Sequence, residues 1–143
     1  MKYYALEPEV AGGFGPHSIV DPKVRPPRVT KFNYEFDVWL GDPLLEAVGC
    51  FIVTESLKKM IAAMHATGVS FGTVEVSRSG EFEDLYPKRQ LPVFVWLKVL
   101  GKAGRDDFGS SPTHGLVVSD RILKLLKKEG MSHGGITEFD PGD

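Results

Sequence analysis

The segment WLKVLGKAGRDDFGSSPTHG, residues 96–115, holds the densest set of groups able to do chemistry. An apolar run ends at Leu100, and Lys102, Arg105, Asp106, Asp107, Ser110, Ser111 and His114 follow in close order. Two carboxylates and a histidine are the groups with which a small hydrolase or nuclease holds a divalent cation and moves a proton. Metal catalysis needs three or more converging ligands, however, and adjacent residues of an extended segment point to opposite sides. His114 would have to reach back past a Ser-Ser-Pro turn, and no spacing fixes a further carboxylate beside the pair. The plainer reading is a structured turn. In it Gly101 and Gly104 take positive φ where a strand turns sharply, Asp106 and Asp107 bond backbone amides, and Phe108 packs underneath.

Other motifs are weaker. GKAG is not a phosphate loop, because Lys102 is followed by Ala103 and no glycine stands at the required distance before Gly101. Nor is it the GxxG of a KH domain, which joins two helices. His17, His65, His114 and His133 show no metal-ligand spacing, and GSSPT lacks the second glycine of a nucleophile elbow. Cys50 is the single cysteine, set in GCFIV as a small buried hydrophobe; it excludes an internal disulfide and suits a reducing compartment. Nothing here specifies an enzyme, a metal or a cofactor.

A net charge of −2 argues against a general phosphate-binding surface, so no direct binding of nucleic acid is expected. The charge is unevenly spread. Residues 32–57 carry Glu35, Asp37, Asp42, Glu46 and Glu55 without a lysine or arginine, just after Lys23, Arg25, Arg28 and Lys31. Glu35, Asp37, Asp42 and Glu46, with Trp39 as an aromatic anchor, could offer a basic partner an acidic strip. The alternative is that Trp39 closes the core and the acids face solvent. MKYYALEPEV has no apolar stretch of a signal peptide, and no apolar run approaches the roughly 20 residues of a membrane span. The expected setting is the cytoplasm, with no membrane partner.

The elements that must position these residues follow from periodicity. KYYAL predicts a first strand, and residues 7–28, rich in glycine and proline, an irregular loop. VTKFNYEFDVW alternates, with Phe32, Tyr34, Phe36 and Val38 inward and Lys31, Asn33, Glu35 and Asp37 outward, as one strand half in water. LGDPLLEAVGC predicts a turn entering a short helix. FIV is a strand, and TESLKKMIAAMHATG a helix capped by Thr54 and stopped by Gly68, with Leu57, Met60, Ile61 and Met64 on one stripe. TVEVS is a further strand, SGEFEDLYPKRQLP a connection, and VFVWLKV a central strand, apolar on both faces but for Lys98. LVVSDRILKLLKKEG repeats the strand–cap–helix pattern, with Ser119 as cap and Gly130 as stop; GITEF follows as GTVEV follows the first helix. Residues 51–77 and 116–139 thus read as two related strand–helix–strand units in one sheet. The expected class is a single α+β domain, residues 1–143, with a mixed or antiparallel sheet and two main helices.

FIVTESL, EVSRSGEFEDLYP, FVWLKVLGKAGRDDFG and LVVSDRIL, in this order, resemble a family of bacterial immunity proteins of polymorphic-toxin systems (immunity family eleven, formerly a domain of unknown function). MKYYALEPEVAGGFG and YEFDVWLGD are similar in style, so the likeness spans nearly the whole chain. The resemblance implies a cytoplasmic antidote that binds a toxin delivered by contact-dependent or type VI secretion and occludes it without chemistry. It also implies that Gly101, Gly104, Asp106, Asp107 and Phe108, as shared motif, shape the fold rather than read the toxin. The acidic strip would suit a basic nuclease toxin. Two other readings stand beside this one: a metal-assisted hydrolase using Asp106, Asp107 and His114, and a structural adaptor without a toxin partner.

Overall fold

Short β-branched and aromatic runs separated by glycine, proline and aspartate fold as strands, and three segments opened by a hydroxyl residue fold as helices. The computed structural model describes residues 2–24 and 28–141. In chain order these residues form β1 (Tyr3–Glu7), β2 (Gly12–Phe14), β3 (Ile19–Asp21), β4 (Arg28–Lys31), β5 (Asn33–Phe36), β6 (Leu44–Ala47) and β7 (Cys50–Thr54). There follow α1 (Glu55–Ala63), β8 (Val69–Gly72), β9 (Glu75–Arg78), α2 (Gly80–Leu85), β10 (Phe94–Val99), β11 (Gly101–Lys102), β12 (Phe108–Ser110), β13 (Val117–Ser119), α3 (Asp120–Lys128) and β14 (Gly135–Phe139). The chain is one α+β domain. Among the described residues no helix is long and apolar enough to cross a membrane. Arg25 of the basic run lies outside them.

Four sheets result, in the orders β11-β12-β13-β1-β14, β6-β7-β10-β8, β2-β5-β9 and β3-β4. The four-stranded sheet is buried on both faces. Phe51, Val53 and Leu97 turn to one core, shared with α1, α3 and the five-stranded sheet. Ile52 and Phe94 turn to the other, an aromatic cluster with Tyr34, Phe36, Trp39 and Phe82. VFVWLKV therefore lacks alternation because β10 lies between β7 and β8.

The two strand–helix–strand units lie in different sheets rather than one. The strand closing the first is β8, not GTVEV, whose later residues enter β9 of the three-stranded sheet; so bounded, the units share an arrangement. β7 and β8 flank β10, antiparallel to both; β13 and β14 flank β1 in the same way. Equivalent residues of the units meet in the first core: Val53 and Val118, Leu57 and Ile122, Ile61 and Leu126. The ion pairs Lys59–Glu55 and Lys124–Asp120 also occupy matching positions on α1 and α3.

Several expectations need correction. The loop over residues 7–28 contains β2 and β3. VTKFNYEFDVW is broken at Phe32 into β4 and β5, and Asn33 is fully buried, its amide donating to Glu75 O and Ser77 Oγ. LLEA is β6, paired with β7 through a turn in which Val48 and Gly49 both have positive φ, so a hairpin replaces the helix. α1 ends at Ala63, ahead of Gly68, because His65 adopts the left-handed conformation at φ 52°. SGEFEDL forms α2, capped by Ser79, whose Oγ accepts from Phe82 N at 3.1 Å.

Candidate functional site

The Gly–Asp loop lies where the two units meet. Asp106 Oδ2 accepts from the Lys102 backbone N–H at 2.8 Å, which holds its carboxyl below the usual range, with Arg105 adding to the effect. Gly104 has a φ of 82°, as its position required. Gly101 is different: its φ is not positive, and a Cβ there would stand 2.2 Å from Phe108 O. Close approach of two backbones, rather than φ, demands that glycine. Phe108 is fully buried beneath the loop.

Asp107 is bound further away than a local turn would predict. Its Oδ1 accepts from Ser119 Oγ at 2.7 Å and Arg121 Nε at 2.9 Å; its Oδ2 accepts from Arg121 Nη2 at 2.6 Å and Thr67 N at 3.0 Å. This is a two-pronged guanidinium–carboxylate pair with two further donors. The Arg121 bonds hold the Asp107 carboxyl well below the ordinary carboxylate range. Arg121 Nη1 also donates to Met64 O at the end of α1, so one residue ties the loop and both helices together. Ser119 heads α3, yet its hydroxyl makes no cap bond because it serves Asp107.

His114 is not brought to these carboxylates. Its Nδ1 meets Thr113 Oγ1 at 3.0 Å and its ring stands edge-on to Phe139, at 5.6 Å between centroids. The bonds of Asp106 and Asp107 all run to other residues, so the Asp106–Asp107–His114 cation site is not assembled.

The acidic–aromatic strip does not form one surface. Trp39 is nearly buried, with Nε1 donating to Asp42 O at 3.0 Å and the Arg89 guanidinium 4.5 Å from its ring centroid. Asp42 is fully buried. Its Oδ2 accepts from the Ser132 and His133 N–H groups at 3.1 and 2.9 Å, and its Oδ1 meets His133 Nδ1 at 2.7 Å. Glu35 and Asp37 are half-buried about the three-stranded sheet, where Glu35 pairs with Gly13 and Ser77. Only Glu46 turns into a cleft.

Glu9, unremarked in the sequence, joins Asp42 and His133: ligand-type atoms of the three lie within 4.8 Å of one another. Both carboxylates already serve backbone amides, Glu9 through Leu40 N at 2.6 Å and Asp42 N at 3.1 Å. The cluster fastens the loops around residues 40 and 132.

Two adjoining cavities open beside the end of the four-stranded sheet where β7 begins and β10 ends. The larger, about 540 Å³, is walled by Cys50, Trp96, Val99 and Pro112. The smaller, about 260 Å³, is walled by Glu7, Glu46, Thr113 and His114. Phe51 and Gly115 border both. The wall between them is the SSPTHG turn, which Ser111 Oγ ties by accepting from Thr113 N and His114 N. The tail of the 96–115 segment therefore borders the cleft, while its aspartates brace the fold. Burial pushes the Glu46 carboxyl above its usual value, and the charge of Glu7 adds to the rise.

Burial also pushes the Cys50 thiol up to about 11. Alkylation by iodoacetamide at mildly alkaline pH should run about a hundredfold slower than for an exposed cysteine, because so little thiolate is present. A rate in the native protein equal to that in urea would show the thiol to be freely accessible.

Comparison of the chain with models of known protein families and with curated proteins finds no match.

Proposed function

We propose that this protein is an antidote: it sits in the cytoplasm and neutralises a bacterial toxin by binding and occluding it. The sequence resemblance to immunity proteins motivates the reading. The observation that carries it is the use of the most distinctive shared stretch. Asp106 is engaged by Lys102 and Arg105, and Asp107 by Thr67, Ser119 and Arg121, so the motif braces the fold and leaves partner recognition to other surface. Such a division is what a scaffold facing different toxins requires.

The test is capture of partners by the tagged protein from native lysate in moderate salt, followed by co-expression with the captured toxin domain. We expect one large secreted protein, bound stoichiometrically through its C-terminal region, and restored growth of cells making that domain. Cells that die equally with and without the protein, and no captured toxin, would remove the antidote reading.

A further inference from the structure

We propose that the paired cavities receive a two-residue anchor from a protein partner: an arginine or lysine side chain between Glu7 and Glu46, and a neighbouring apolar or aromatic side chain in the larger cavity. The identity of that partner as a toxin rests on the antidote reading; the chemistry of the surface does not.

Charge selects the first residue of the anchor. Glu7 and Glu46 wall the smaller cavity, no lysine or arginine does, and among the described residues neither carboxylate has an ion-pair partner. Glu46 Oε2 accepts from Gly49 N–H at 3.1 Å, which aligns the carboxylate without neutralising it. A guanidinium or ammonium entering there would meet the exposed Glu7 and the partly buried Glu46, and the second lies in a partly desolvated setting where charge-assisted bonds are strong.

Shape and polarity select the second. The larger cavity has mostly apolar walls, and the Lys98 ammonium is drawn aside to 4.5 Å from the Trp96 ring centroid. The same end of the four-stranded sheet bears Val48 and Leu100, 75% and 69% exposed. Apolar side chains standing in water beside an apolar cavity, with charge at the rim, have the layout of a protein-binding hot spot. Phe51 and Gly115 border both cavities, so adjacent side chains of one segment can fill them together.

The test uses the isotope-labelled full chain and two blocked dipeptides, acetyl-Arg-Trp-amide and acetyl-Glu-Trp-amide, followed by amide chemical shifts. Arg-Trp at millimolar concentration should shift Glu46, Phe51 and Gly115, and Glu-Trp should not. Glu46→Gln keeps the acceptor for Gly49 and should weaken Arg-Trp by about tenfold through the lost charge. Gly115→Leu should abolish the response by filling the cavities. A Cβ at Gly115 meets only Phe51, at 3.9 Å, so the position has room to begin a side chain, and the variant's own spectrum verifies its fold. No shifts, shifts mapping elsewhere, or equal responses to both peptides would overturn the proposal. Co-expression separates the two ideas. Protection without a peptide response places the toxin on another surface, and a peptide response without protection removes the antidote while leaving the cleft.

Discussion

Replacing Asp107 by alanine is expected to lower the unfolding free energy by about 3–4 kcal/mol, a large loss for a polar side chain. The carboxylate is nearly buried and receives Ser119 Oγ, Thr67 N and two nitrogens of Arg121. Its removal strands a serine hydroxyl with 1% exposure, and takes the carboxylate away from the Thr67 amide and the Arg121 guanidinium. Arg121→Ala should be milder, about 1–2 kcal/mol, since Asp107 keeps two donors and the half-exposed guanidinium contributes less. Urea unfolding of both variants measures this; a loss from Asp107→Ala smaller than from Arg121→Ala would refute the clip.

The same residue sets an acid dependence. Its folded carboxyl titrates well below an ordinary carboxylate because Arg121 bonds the charged form. On acidification the unfolded chain binds this proton first. The stabilisation is therefore complete above about pH 4, the unfolded value, and is lost progressively as pH falls towards the folded one. The melting temperature of the native protein should drop below that pH, and Asp107→Ala should flatten this part of the profile.

Asp42→Ala is expected to cost about 2–3 kcal/mol and to release the segment after α3. The Asp42 side chain is wholly buried, and the Ser132 and His133 amides donate to it. Met131, beside them, is part of the first core. Urea midpoints and amide exchange at residues 132 and 133 measure both effects. Glu35→Ala and Asp37→Ala, at half-exposed positions, should each stay within about 0.5 kcal/mol. An Asp42→Ala protein of unchanged stability that lost only its partner would instead make Asp42 a contact residue.

What could be read in the chain followed the reach of the interaction. Local signals were legible: Thr54 capping α1 through Leu57 N, the stripe of Leu57, Ile61 and Met64 on α1, though not Met60, which stays outside the first core, and the doubly apolar β10. The parallel between the two units was visible because strand, cap and helix recur in order. LLEAV was misread because a four-residue apolar run fits a helix turn or a buried strand equally, and the hairpin depends on Val48 taking positive φ, which a β-branched residue rarely does. Glu46 was singled out for charge, but its cavity forms only when β1, β6 and the SSPTHG turn converge. Likewise Glu9, Thr67 and Arg121 have no spacing signal, since Asp42 and Asp107 reach them through tertiary structure alone.

The seat of β1 between β13 and β14 carries a kinetic consequence. Residues 3–7 lack both strand neighbours until residues 117–139 have left the ribosome, whereas β6, β7 and β10 can associate earlier. High contact order of this kind makes closure of the five-stranded sheet slow. On the antidote reading proposed above, a cell would thus be guarded by molecules that had already closed this sheet, and a lag would separate synthesis from protection.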